Sequence, residues 1–136
     1  MPTKVLDSWA LIAFFEDEPA AERVEKLLVQ AEEGTHKLFL SVVNWSEIYY
    51  STMRVHSQDV AEQQAREIAG LTIEIVGVDE KDLDLVRQAA IYKGTWKLSY
   101  ADAFAAALTK SRNAELVTGD PEFRQMEGEI KIEWLK

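Results

Sequence analysis

Four acidic residues stand out because each lies where a predicted strand ends or a predicted helix begins. They are Asp7, Glu47, Asp102 and Asp120. Carboxylates that converge repel one another, and this raises their pKa values unless a cation offsets the charge. Mg²⁺ prefers oxygen ligands, and a bound divalent cation can orient a phosphodiester and activate a water molecule. The residue types and their placement therefore predict an acidic metal site suited to phosphodiester hydrolysis.

Each acid also has a purely structural interpretation. In a capping box, an acid at the third helical position closes the start of a helix. Three pairs have this spacing: Asn44 and Glu47, Ser99 and Asp102, and Asp79 and Asp82. The last pair is given no functional role. Asp7 and Asp120 have the position of a helix cap or a turn residue. For any single acid the structural interpretation is the more frequent one, whereas joint placement at one sheet edge favours the metal site.

Asp102 is the most informative of the four acids. It shares one face of its predicted helix with Ala105, Ala106 and Thr109. An acid on such a small and largely apolar stripe is costly unless it is paired or binds a cation. Glu47 is less informative, because the same face of its helix is more polar.

The predicted elements that position these acids alternate between strands and helices. Apolar and β-branched runs predict strands over 4–6, 37–43, 72–78 and 115–118, and 130–135 has the alternation of a half-exposed edge strand. Apolar periodicity predicts helices over 8–15, 20–33, 45–55, 59–69, 79–92 and 99–112. This order predicts an α/β domain with a mostly parallel sheet covered on both faces. Ligands bind at the carboxyl ends of strands in such sheets, which is the edge where the four acids fall.

Composition restricts the chemistry further. The 136 residues predict a single domain over 1–136, and 47% hydrophobic with 29% charged residues is an ordinary globular profile. The chain has no cysteine, and its two histidines, His36 and His56, lack a helical ligand spacing. Thiolate chemistry is thereby excluded and a histidine-rich zinc site is disfavoured. Any metal must be held mainly by oxygen atoms.

The charge balance limits the class of partner. Fifteen basic residues stand against 24 acidic ones, which gives a net charge of −9. Broad, sequence-independent binding of nucleic acid normally shows a basic footprint, so the balance argues against it. A cation in the acidic site would change the local sign of the charge. Neither a targeting pattern nor an apolar stretch of the ~20 residues that span a bilayer is visible, so we expect a cytoplasmic location without membrane association.

The order Asp, Glu, Asp, Asp and the residues around it resemble the PIN domain family. Four strings carry the resemblance over nearly the whole chain: Val5-Leu6-Asp7-Ser8-Trp9-Ala10-Leu11, Ser46-Glu47-Ile48, Ser99-Tyr100-Ala101-Asp102-Ala103 and Leu116-Val117-Thr118-Gly119-Asp120-Pro121-Glu122-Phe123. The resemblance implies a three-layer α/β/α domain with a central parallel sheet. Within this family, the small single-domain chain most resembles the VapC toxins in size.

The resemblance also implies an activity. It implies a metal-dependent endoribonuclease that hydrolyses RNA phosphodiesters with a metal-activated water. It implies that Mg²⁺ or Mn²⁺ is bound by Asp7, Glu47, Asp102 and Asp120, with the first and third acids closest to the metal. Asp120 is then expected to act through water or a second metal.

The same resemblance implies supporting residues and partners. The hydroxyls of Ser8 and Thr118 match positions that support the site. The expected partners are an RNA substrate, a cognate antitoxin whose tail occupies the cleft, and a second copy of the chain in a homodimer.

Two other functions remain open at this point. One is a non-catalytic PIN-like module that holds RNA or a protein partner without cutting. The other is a phosphoryl-transfer signalling domain of the receiver type, in which Asp79 after the third predicted strand accepts the phosphoryl group. The receiver interpretation is weak because Asp7 stands alone where that class has a pair of acids.

Cations and aromatic residues supply candidate RNA contacts. The cations are Arg54, Lys93, Lys97, Arg112 and Arg124. The aromatic residues that have the chemistry to stack on bases are Trp9, Trp45 and Trp96. Solvated surface is the favoured interpretation for the cations, and core or interface packing is favoured for the tryptophans.

Overall fold

The computed structural model describes residues 2–135 and is built around a five-stranded parallel sheet. The strands are β1 (Thr3–Leu6), β2 (Lys37–Ser41), β3 (Glu74–Val76), β4 (Glu115–Thr118) and β5 (Lys131–Trp134). Their order across the sheet is β3-β2-β1-β4-β5, and every neighbouring pair is parallel. All carboxyl ends therefore lie at one edge.

Helices connect the strands. The α-helices in residues 2–135 are α1 (Ser8–Phe15), α2 (Ala21–Glu32), α3 (Val42–Val55), α4 (Gln58–Ala69), α5 (Leu83–Thr95) and α6 (Tyr100–Ser111). Two 3₁₀ helices span Glu80–Asp82 and Pro121–Met126. Within 2–135 none of these helices is long and apolar enough to cross a bilayer.

The sheet separates two hydrophobic cores. Val5 and Leu116 face the core that contains the apolar residues of α5 and α6. Their neighbours Leu6 and Val117 face the opposite core, which contains residues from α1, α2, α3 and α4. Successive side chains of a strand point to opposite faces, so the apolar strands bury both sides. The predicted three-layer α/β/α arrangement is confirmed.

The central strand marks the position where a ligand site is expected. From β1 the chain moves outward to β2 and β3, and it later returns to place β4 on the other side of β1. The crevice at such a reversal of strand order is the usual ligand site of an open α/β sheet. Here it lies between the ends of β1 and β4.

Two predicted boundaries were wrong at β2 and α3. The strand ends at Ser41 rather than at residue 43, and the helix begins at Val42 rather than at residue 45. The reason is local, because the Ser41 hydroxyl accepts a hydrogen bond from the Val43 N–H at 3.1 Å and caps the helix. Valines in the first turn of a helix therefore gave the pattern of a longer strand.

Two further predicted elements differ from the structure. The β-branched run 72–78 forms a strand only over Glu74–Val76, the three residues that pair with 39–41 of β2. The predicted helix 79–92 consists of the first 3₁₀ helix followed by α5, which extends to Thr95. The Asp79 capping box is present: Asp79 accepts from the Lys81 N–H at 2.7 Å, and its own N–H donates to Asp82 at 2.9 Å. This box closes a short turn before α5 begins.

Candidate metal centre

Asp7 is buried at the carboxyl-end edge of the sheet, near Asp102 and Asp120. We call this part of the sheet the acidic edge. Asp7 follows β1 and caps α1, with Oδ1 accepting from the Ala10 N–H at 2.9 Å. Oδ2 accepts from the Thr118 hydroxyl at 2.5 Å. The side chain has no exposed surface. Burial raises the pKa of Asp7 to about 8, and the charges of Asp102 and Asp120 act in the same direction, whereas the two hydrogen bonds oppose the shift.

Asp102 lies in the first turn of α6 and is buried, as is every residue from 101 to 109, so burial extends beyond the predicted stripe. The Ser99 hydroxyl accepts from the Asp102 N–H at 3.1 Å. Among residues 2–135 no return bond joins the Asp102 carboxylate to the Ser99 N–H, so the predicted capping box is only half formed. Burial raises the pKa of Asp102 to about 7, and the nearby charges of Asp120 and Glu47 add to the shift, whereas hydrogen bonding with the Ser99 side chain opposes it. This carboxylate is therefore buried without serving its own helix cap.

Asp120 lies next to Asp102 and brings a third acid with it. One oxygen atom each from Asp102, Asp120 and Glu122 lies within 4.8 Å of the other two. Asp120 also caps the second 3₁₀ helix, since its Oδ1 accepts from the Glu122 N–H at 2.9 Å. Glu122 was not predicted as a site residue. The signal was the string Asp120-Pro121-Glu122, in which proline begins a tight turn that places two acids on one side.

Glu47 lies in the second turn of α3 rather than in the first, and it is not among the three clustered acids of the described residues. The side chain is half-buried, and its charge contributes to the raised pKa of Asp102. The predicted Asn44–Glu47 capping box was wrong, because Ser41 is the cap. Asn44 is instead fully buried, and its Nδ2 donates to the Ser8 hydroxyl at 2.9 Å.

Ser8 and Thr118 connect the elements that carry the acids. The Ser8 hydroxyl donates to the Asn44 carbonyl at 3.3 Å and so joins the start of α1 to the start of α3. The Thr118 hydroxyl donates to Asp7 and accepts from the Asp120 N–H at 3.0 Å. Both hydroxyls thus fix backbone or carboxylate groups at the acidic edge.

The candidate cations divide by position. Arg54 lies over the Tyr50 ring at 5.1 Å, and Arg112 lies over the Phe39 ring at 4.6 Å, at the end of α6 remote from Asp102. The Lys97 backbone is held by the Gln125 side chain, close to the second 3₁₀ helix.

Each of the three tryptophans that were candidates for RNA stacking packs against another residue of the chain. Trp45 stacks on Tyr49 with ring centroids 5.7 Å apart, and Trp96 lies 5.5 Å from Tyr92. Trp9 packs closely over Gly119. Packing within the protein thus occupies at least one surface of each indole.

The donor set suits a hard divalent cation. The clustered side chains offer carboxylate oxygens alone, which Mg²⁺ and Mn²⁺ accept and which soft metals do not favour. Each oxygen of Asp7 accepts one hydrogen bond, and a carboxylate oxygen has a second lone pair available for a cation. Burial, together with the charges of neighbouring carboxylates, raises the pKa of Asp7 to about 8 and that of Asp102 to about 7, and a bound cation would favour the ionised forms. The residues therefore fit the metal that the sequence analysis predicted.

Comparison with known proteins identifies the family. The PIN domain family model matches residues 4–129. The chain therefore belongs to the PIN domain family. A sequence search of curated proteins gives no match.

Solved structures share the fold over nearly the whole chain. VapBC2 from Rickettsia felis, bound to a DNA fragment from its promoter, has a TM-score of 0.71 and 15% identity over 98% of this chain and 99% of that chain. DNA-bound VapBC from Salmonella typhimurium has a TM-score of 0.71 and 18% identity over all of both chains. VapC20 from Mycobacterium tuberculosis, a sarcin-ricin loop cleaving toxin, has a TM-score of 0.70 and 14% identity over 90% of this chain and 93% of that chain. At these identities the similarity is one of fold.

Proposed function

We propose that the protein is a metal-dependent endoribonuclease and the toxin of a VapBC-type toxin–antitoxin pair. The observation that carries the proposal is the meeting of Asp102, Asp120 and Glu122 beside the fully buried Asp7. Burying an isolated carboxylate is unfavourable, and a bound divalent cation removes that cost. Membership of the PIN domain family supports the nuclease activity.

The three metal ligands in this proposal come from three segments of the chain: the start of α1, the first turn of α6 and the turn after β4. Asp7, Asp102 and Asp120 hold Mg²⁺ or Mn²⁺, with Glu122 and Glu47 at the margin of the site. When bound, the cation supplies a Lewis acid that neutralises the phosphodiester and lowers the pKa of water.

The remaining contribution of the chain is to orient these acids. The Thr118 hydroxyl fixes Oδ2 of Asp7, and the Ala10 N–H fixes Oδ1, so the carboxylate plane of Asp7 is set on both sides. Asp102 is left available because the Ser99 hydroxyl caps the helix and the Asp102 carboxylate makes no return bond to the Ser99 N–H. Fixed ligands reduce the reorganisation that hydrolysis requires.

The partners follow from the family and the charge. We assign the chain a cytoplasmic RNA substrate, a cognate antitoxin and a second copy of itself in a homodimer. Two of the structural neighbours are VapBC complexes, and VapC20 is a toxin that cleaves the sarcin-ricin loop. An acidic cleft in a chain of net charge −9 is complementary to a cationic side chain of an antitoxin tail.

The test is RNA cleavage by the antitoxin-free protein. A panel of structured RNAs is incubated with Mn²⁺ or Mg²⁺, with EDTA, and with the Asp102→Asn variant. Asp82→Asn is the matched control, because Asp82 occupies the equivalent place in a complete capping box. We expect cleavage by the wild type and Asp82→Asn, and none with EDTA or Asp102→Asn. Absence of both cleavage and metal binding would favour the non-catalytic binding module instead.

A further inference from the structure

Gly119 is the glycine of the acidic edge whose added Cβ would collide with the Trp9 ring. An ideal Cβ added there would lie 2.3 Å from Cη2, 2.4 Å from Cζ3 and 2.7 Å from Cζ2 of the Trp9 ring. These distances are far below van der Waals contact. Gly119 does not have a positive φ angle, so backbone freedom does not explain the glycine. The explanation is the indole ring, which lies directly on the backbone.

The two residues belong to the two segments that supply acids. Trp9 is two positions after Asp7 in α1, and Gly119 immediately precedes Asp120. The Trp9–Gly119 contact therefore sets how closely the start of α1 approaches the end of β4. The Thr118 hydroxyl bridge between Asp7 and the Asp120 N–H joins the same two segments by hydrogen bonds. The Thr118 hydrogen bonds fix the direction of the groups that they join. The Trp9–Gly119 contact limits how closely the two segments approach.

The packing of Trp9 distinguishes it from an ordinary core residue. Trp9 is only partly buried and packs against the core that contains residues of α1, α2, α3 and α4. Its neighbour in space is a glycine between two functional side chains, whereas Trp45 and Trp96 pack against aromatic rings. A rigid indole with two rotatable bonds defines a separation more sharply than a flexible aliphatic side chain does.

From this geometry we infer that Trp9 is a positioning residue for the metal centre, acting through Gly119 on the place of Asp120 relative to Asp7. The inference rests on the proposed function, because it assigns these acids to a metal. Mg²⁺ demands near-ideal octahedral geometry, whereas Ca²⁺ accepts six to eight ligands in flexible arrangements. A displaced Asp120 therefore weakens Mg²⁺ binding more than Ca²⁺ binding.

The experiment measures cation binding without RNA. EDTA-treated protein is titrated with Mn²⁺ by electron paramagnetic resonance, and Mg²⁺ and Ca²⁺ affinities are obtained by competition. The variants are Gly119→Ala, Trp9→Ala and the double variant. Gly77→Ala is the matched control, because a Cβ at Gly77 meets nothing within 4 Å. Thermal unfolding of each variant reports stability separately.

The expected pattern is specific. Gly119→Ala weakens Mn²⁺ binding by roughly 10-fold, the usual scale for a group that orients metal ligands. It lowers the ratio of Mg²⁺ to Ca²⁺ affinity, and Gly77→Ala leaves both unchanged. Trp9→Ala also weakens Mn²⁺ binding. The double variant binds Mn²⁺ about as well as Trp9→Ala alone, because the new methyl group then has room.

Each contrary result has a distinct meaning. Wild-type affinities and an unchanged Mg²⁺ to Ca²⁺ ratio in Gly119→Ala and Trp9→Ala would overturn the inference, even if both variants unfold at lower temperature. Additive losses in the double variant would also overturn it. If Gly119→Ala does not fold, Trp9→Ala alone decides by its Mn²⁺ affinity and ion ratio. A wild-type protein that binds no Mn²⁺ would refute the proposed metal centre and, with it, the role of Trp9.

Discussion

At the scale of single residues, Asp7 combines complete burial with hydrogen bonds to both carboxylate oxygens. Burial raises its pKa to about 8 from an ordinary value of 3.8. The folded protein therefore holds a proton that the unfolded chain releases over this range. The contribution of Asp7 to folding stability is fully present below its pKa in the unfolded chain. It is lost as the pH rises toward its pKa in the folded protein.

A pH prediction follows for the metal-free protein. Between about pH 5 and about pH 8, the free energy of unfolding of the wild type should fall relative to that of Asp7→Asn, because the amide does not ionise. Urea unfolding of both proteins in EDTA measures the difference. A difference that does not change with pH would show that the shift at Asp7 is absent.

Thr118 offers a second prediction at this scale. Thr118→Val keeps the shape of the side chain but removes the donor to Asp7 and the acceptor for the Asp120 N–H. We expect Mn²⁺ affinity to fall by roughly 10-fold, as for other groups that orient metal ligands. Thr118→Ser retains the hydroxyl and should restore most of the affinity in a calorimetric titration. Equal affinities of the Val and Ser variants would contradict the role of the hydroxyl.

At the scale of elements, capping residues determine which acids are available. Asp82 completes its capping box and is used by its own helix, whereas Asp102 has the same spacing from its cap but turns to the acidic edge. The difference lies in what surrounds each helix start. The turn at Asp79 is exposed, whereas Asp102 is buried and its charge acts on Asp7 at the end of β1.

A pair of cap variants separates stability from site geometry. The Ser99 hydroxyl caps α6 at 3.1 Å from the Asp102 N–H, and the Ser57 hydroxyl caps α4 at 3.2 Å from the Val60 N–H. Replacing either serine with alanine should cost about 1 kcal/mol of folding stability. Only Ser99→Ala should also weaken Mn²⁺ binding, because it loosens the turn that carries Asp102. Equal metal affinity in the two variants would show that the cap acts on stability alone.

Much of the fold was predictable because its signals are local and repeated. Strand and helix alternation predicted the parallel sheet, and the alanines near Asp102 predicted burial in α6, which extends over all of 101–109. The boundary at Ser41 was missed because valines suit a strand as well as a first helical turn.

The parts of the site that the sequence did not predict depend on tertiary contacts. The role of Asn44 was missed because its partner, Ser8, is 36 residues away. Glu122 was missed because its approach to Asp102 depends on the tight turn after Pro121. The close packing of Trp9 against Gly119 likewise could not be predicted from the residues that neighbour either one in the sequence.

At the scale of the whole molecule, a net charge of −9 opposes both the acidic cluster and the binding of RNA. A cation at the acidic edge relieves the local repulsion, and ligand that binds only the folded state stabilises it. At a hundredfold excess over its dissociation constant, Mg²⁺ should add roughly 2.7 kcal/mol to the free energy of unfolding.

Thermal unfolding with and without Mg²⁺ checks this expectation. The wild type and Asp82→Asn should unfold at higher temperature when Mg²⁺ is added, and Asp102→Asn should not respond. A similar rise in all three proteins would indicate that Mg²⁺ screens surface charge in general rather than occupying the proposed site.

The most direct test of the metal centre is the anomalous scattering of Mn²⁺ in crystals of the protein. We predict a peak at the carboxyl ends of β1 and β4, at bonding distance from carboxylate oxygens of Asp102 and Asp120 and adjacent to Asp7. Crystals of Asp102→Asn treated in the same way should lack the peak. Suppose that the wild-type site is ordered but shows no anomalous density between these acids at Mn²⁺ concentrations well above physiological. That result would contradict the proposed metal centre.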